Sequence, residues 1–131
     1  MPSYDIATAA FAAGAPKKWL DNLASQHPVP GIERMRRGVT RDFSFEAVLA
    51  VWLVRSLCVE LAIPVHTATR IAAEIQASLD GSITLPGGFT LSIDLEAAAR
   101  EVRQRLLEAA ESVPRVRRGR PPQAAANPPS F

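Results

Sequence analysis

Cysteine is almost absent from this chain: among 131 residues there is one, Cys58. No disulfide can form within the chain and no multi-cysteine metal site is available, which fits a reducing compartment. Histidine is nearly as scarce. His27 and His66 stand apart, without acidic or cysteine partners at ligand spacing, so neither a metal site nor a histidine base is expected. The opening Met1-Pro2-Ser3-Tyr4-Asp5 lacks the basic start and apolar stretch of a signal peptide. The most apolar run, residues 47–63, is interrupted by Arg55 and Glu60, which marks a buried helix rather than a membrane span. There is no phosphate-cradling glycine loop, serine elbow or paired-carboxylate pattern. No enzyme activity, cofactor or metal is expected.

What is present is an ordinary globular composition, 47% apolar and 21% charged, with enough length for one core and a tail. The net charge of +2 is small, but its distribution is uneven. Arg34, Arg36, Arg37 and Arg41 crowd one segment, and Arg115, Arg117, Arg118 and Arg120 crowd another in which no acid offsets them.

The pattern along the chain predicts a mainly helical fold. Ile6, Ala9, Ala10 and Ala13 recur at helical spacing, and Gly14 supplies a stop. Pro16 suits the start of a second helix over about residues 16–24, with Leu20 and Leu23 inward and Lys17, Lys18, Asp21 and Asn22 outward. The short link between them makes a helix-turn-helix. The prolines and glycine of residues 28–31 end that helix. Strand-like pieces at about 32–36 and 39–43, around Arg37-Gly38, predict a hairpin with a basic tip. Ser44 is a good N-cap for the main core helix, in which Val48, Trp52, Leu53, Leu57 and Leu61 lie on adjoining faces. Beyond Pro64, Val65, Ala68, Ile71 or Ala72, Ile75 and Leu79 predict a fourth helix, ended by Asp80-Gly81.

Residues 82–94 alternate about Pro86-Gly87-Gly88. This predicts a second hairpin with Ile83, Leu85, Phe89, Leu91 and Ile93 on one face. Asp94 can cap a last helix over about residues 95–113, whose heptad-like seam is Leu95, Ala99, Val102, Leu106, Ala109 and Val113. That seam can pack within the chain or against a second copy; a homodimer is the expectation. After Pro114 no core-forming period survives, and the Arg/Pro-rich tail is expected to be disordered. Three regions result: 1–79, 80–113 as a dimerisation element, and 114–131. Trp19, Trp52 and Cys58 are read as packing residues.

Residues 4–79 resemble the DNA-binding domain of MerR-type regulators. The resemblance rests on the aromatic-led opening at Tyr4, the Ala13-Gly14-Ala15-Pro16 turn, the basic second helix, the wing ending Arg41-Asp42-Phe43-Ser44 and the paired helices after it. It implies a winged helix-turn-helix of bacterial or phage origin. It further implies that Lys17, Lys18 and Asn22 enter the major groove while Arg34, Arg36, Arg37 and Arg41 grip flanking DNA. Lysine and arginine gain from phosphate charge and asparagine can pair both ways with adenine. The family's dimer helix and effector pocket have no obvious counterpart, and without a cysteine cluster a metal sensor is not expected. Arg118-Gly119-Arg120-Pro121 resembles an AT-hook, which implies a minor-groove contact by Arg118, Gly119 and Arg120, with Arg115 and Arg117 adding phosphate contacts.

These readings predict a cytoplasmic, nucleoid-associated transcriptional regulator that binds double-stranded DNA as a homodimer, with RNA polymerase or another protein as a further candidate partner and no membrane. Two rivals stay open: an excisionase-like factor that bends DNA, and an antitoxin-like or adaptor module that clasps a protein.

Overall fold

The computed structural model describes residues 3–27 and 42–112. Within them lie five helices and one two-stranded antiparallel sheet. The caps account for most of the boundaries. Helix α1, Ile6–Ala13, opens on Asp5, whose carboxylate accepts the Thr8 N–H at 2.8 Å. It closes on Gly14 at φ 71, a left-handed conformation that costs glycine little. Helix α2, Lys17–Gln26, follows after two residues. It runs past the expected end at residue 24, because nothing before the prolines interrupts it.

Helix α3, Phe45–Leu61, begins where Ser44 Oγ accepts the Ala47 N–H at 3.1 Å, with Glu46 in its positive first turn. Eight of its residues are buried, from Ala47 to Leu57. Leu61, expected in the core, is exposed. The helix ends there, with Ala62 left-handed at φ 55 and the Ile63 N–H returning to the Leu57 carbonyl. Trp52, expected in the core, is half-buried and packs against its edge.

Helix α4, Val65–Ala77, buries Ala68, Ile71, Ala72 and Ile75 as expected. Its apolar period does not extend to Leu79, which is fully exposed. Ser78 terminates the helix first: its hydroxyl donates to the Ile75 carbonyl at 2.7 Å, and its N–H takes the Glu74 and Ile75 carbonyls. A serine competing with the backbone in this way favours the helix end over its interior.

Strands β1, Ser82–Leu85, and β2, Phe89–Ser92, pair with Ile83 opposite Leu91 and Leu85 opposite Phe89. The apolar residues share a face as predicted. Only part of it packs, however: Ile83, Leu91 and Ile93 touch the core, whereas Phe89 is 69% exposed.

Helix α5, Leu95–Ser112, starts where the Asp94 carboxylate accepts the Ala97 N–H at 3.0 Å. Its buried stripe is Ala98, Val102, Leu106 and Ala109, and it packs within the chain, chiefly on α1 and also on α3. Ala98 takes the place predicted for Ala99, which is half-buried. The small side chains Ala9, Ala10, Ala12 and Ala13 of α1 let α3 and α5 approach closely. Among the described residues no helix is long and apolar enough to cross a membrane.

Candidate nucleic-acid interface

The link between α1 and α2 is fastened from a distant part of the chain. Beyond the Gly14 cap, the Ala15 N–H reaches the Ala10 carbonyl at 3.0 Å. Arg105 of α5 adds two more donors to the C-terminal end of α1. Its Nε donates to the Ala12 carbonyl at 2.7 Å and its Nη2 to the Phe11 carbonyl at 3.2 Å. The guanidinium pairs the Ala12 carbonyl, adds a second donor to the Phe11 carbonyl that the Gly14 N–H already reaches, and meets the negative end of the helix dipole. Glu101, one turn back on α5, lies 3.9 Å from the same guanidinium and is exposed enough to contribute little.

Arg105→Met keeps most of the apolar stem and removes both bonds. It is expected to lower unfolding free energy by about 1.5–3 kcal/mol, the range for hydrogen bonds to a charged group. Urea denaturation followed by circular dichroism checks this, and a variant as stable as the parent would refute the role.

Helix α2 buries only Leu20 and Leu23. Lys17, Lys18 and Asn22, all expected on the outside, are exposed. Lys18 and Asn22, four residues apart, share one outward strip. The start of this helix carries two lysines, with Asp21 the first acid, four residues after Lys17. Its N-cap is Pro16, no side chain caps it and its first turn carries no acid. The positive end of the helix dipole and two ammonium groups therefore coincide, the reverse of what helix stability favours.

Trp19 fixes one flank of the helix. It is half-buried against the core, and the guanidinium of Arg55 on α3 sits 5.0 Å from its ring centroid. This cation–π contact joins α2 to α3. One turn along α3, burial pushes the Cys58 thiol pKa up, with Arg55 pulling the other way. Burial of this kind disfavours the thiolate, as at a packing residue.

Arg34, Arg36, Arg37 and Arg41, and Arg117, Arg118, Gly119 and Arg120, lie outside the described residues. The described chain does include the foot of the first arginine segment. Phe43 and Tyr4 form an isolated antiparallel bridge, with N–H···O distances of 2.8 Å and 2.9 Å. The chain leaving that segment is thereby tied to the chain entering α1.

Three interactions have no counterpart in the expectations from sequence: Arg105 on the α1 end, Arg55 over Trp19, and Arg103 of α5 over the Phe45 ring at 5.4 Å. Only the first left a signal. Arg105 falls between Val102 and Ala109 at helical spacing, so it lies at the edge of the buried stripe, where a charged residue needs a partner. Among the described residues, no three histidine, cysteine, aspartate or glutamate side chains are grouped to hold a metal ion. No protein-family model, curated protein or solved structure matches this chain.

Proposed function

We propose that the chain is a DNA-binding regulator of transcription whose α2 lies in the major groove, in the manner of a winged helix-turn-helix. One observation carries this reading. Lys17 and Lys18 stand exposed at the positive end of α2, with no acid in the first turn and no side-chain cap. Such a helix start is unfavourable for the isolated fold and favourable for a phosphate, which accepts from free N–H groups and neutralises both ammonium charges. Asn22, one turn beyond Lys18, is placed to read a base edge. The arginines at 34, 36, 37 and 41 would grip flanking DNA, and residues 117–120 would add an A·T-rich minor-groove contact. The exposed tip of the β1–β2 hairpin, with Phe89, is the proposed contact of a homodimer. Two-fold symmetry would then require an inverted-repeat site.

The test is selection from a mixed pool of duplex DNA, with affinity titrated in salt, for the whole chain and for a truncation ending at Val113. Binding should weaken steeply with salt, and enriched sequences should share an inverted repeat. Lys17→Ala with Lys18→Ala should reduce the slope of log K against log salt by about 2, at roughly 0.9 for each phosphate no longer neutralised. The truncation should lose only the A·T-rich preference. Binding without any enriched sequence, or a double variant with unchanged slope, would reject the reading and favour the adaptor alternative.

A further inference from the structure

A concave site lies where α5 passes the start of α3. Tyr4, Phe45, Arg103, Leu106, Leu107 and Ala110 line a pocket of about 500 Å³. Leu106 forms its floor, Phe45 and Tyr4 are half-buried walls, and Leu107 is 65% exposed at the rim. Five of the six side chains are apolar or aromatic, and the sixth is a guanidinium. Pockets of a few hundred Å³ with apolar walls and one or two placed polar groups are what small ligands occupy.

The guanidinium sets the chemistry. Arg103 stacks on Phe45, 5.4 Å from the ring centroid. It makes no ion pair with another described residue. The ring contact holds the guanidinium beside the pocket and leaves N–H donors for an acceptor, and a pair of such donors matches a carboxylate. Arg100, one turn before it, lines the adjoining hollow with Leu95, Glu96 and Ala99. Glu96 lies seven residues from Arg103, roughly 10 Å along the helix axis, too far to neutralise it directly.

We propose that this pocket binds a small apolar monocarboxylate, its hydrocarbon or aryl body between Tyr4, Phe45 and Leu106 and its carboxylate on Arg103. The size of the site argues against a protein occupant. Among the described residues six side chains line it, whereas a stable protein interface engages about 20–30 residues a side.

The experiment is an amide-resolved NMR titration of the full chain, without DNA, using 4-phenylbutyrate and its neutral counterpart 4-phenyl-1-butanol. Saturable shifts with the acid should cluster at Tyr4, Phe45, Leu107 and Ala110, and the alcohol should bind at least fivefold more weakly. Arg103→Gln, at an exposed helix position, should remove that preference. Ala110→Trp should fill the pocket and abolish binding of both probes. Scattered shifts, an alcohol that binds as well as the acid, or variants that bind like the parent would overturn the proposal. So would shifts at the same amides on raising protein concentration alone, which would mark a second copy as the occupant. With no DNA in the sample, either result is independent of the regulator reading.

Discussion

Replacing Phe43 with alanine is expected to cost about 3–5 kcal/mol of unfolding free energy, the range for deleting a buried aromatic. Phe43 is 0% exposed and is the largest fully buried side chain among the described residues. It also occupies a junction. Its N–H and carbonyl both pair with Tyr4, and the next residue, Ser44, caps the central helix α3. The ring cannot be removed without leaving a cavity beside that cap, and a fixed backbone bridge limits how far the site can collapse. Against a typical total of roughly 5–15 kcal/mol, such a loss removes a large share of the stability. Thermal denaturation should show a midpoint lower by roughly 10 °C or more. Phe45→Ala provides the control. That ring is only half-buried, so its loss should cost clearly less. Equal losses would mean that Phe43 is not the buried anchor.

Gly81→Ala should be nearly as damaging, for a different reason. Gly81 has φ +74, and a Cβ there would collide with the backbone carbonyl oxygen of Ile93 and press on Leu95 Cγ at 3.2 Å. The two chain ends of the β1–β2 hairpin meet at this point, where the Ile93 N–H donates to the Gly81 carbonyl at 2.8 Å. Left-handed strain of about 1–2 kcal/mol adds to an overpacking cost of about 1–3 kcal/mol, because backbone rather than a flexible side chain must move. A total of about 2–5 kcal/mol is expected in urea denaturation. Gly88 separates the two contributions. It has φ +86 with nothing within 4 Å of a new Cβ, so Gly88→Ala should carry strain alone. If both variants lose the same stability, the close approach at Ile93 is not tight.

The parts of this fold that could be read from the chain are those decided within a few residues. Gly14, Ser44 and Asp94 each act on a backbone group three to four residues away and mark helix boundaries as expected, and Asp5, not foreseen, does the same for α1. Periodicity carried the core well in helix interiors and failed at helix ends. Leu61 and Leu79 continue the apolar repeat, but the backbone turns away at Ala62 and Ser78, leaving both exposed. In α5 a heptad count selects Ala99, whereas a helix of 3.6 residues per turn brings Ala98 to the buried side. The same stripe could have faced a second molecule; its partner, the alanine face of α1, lies too far away in sequence for spacing to reveal. Of the candidate DNA contacts, Lys17, Lys18 and Asn22 were legible as the polar side of a short amphipathic helix. Arg55 and Arg103 were not, since each depends on which aromatic ring another helix brings near, and Arg105 showed only as a charge at the edge of the buried stripe, without its partner.

The reach of Arg105 has a consequence for the order in which the molecule matures. The carbonyls it satisfies lie 93 and 94 residues earlier in the chain. A protein made from its N-terminus exposes α1 and α2 to the cell well before α5 exists. During that interval the first two helices lack the donors at their junction and the buried stripe against which α1 packs. Contacts of such large sequence separation form late and slow the search for the native state. A nascent chain therefore cannot hold the outer face of α2 in place until α5 has been synthesised.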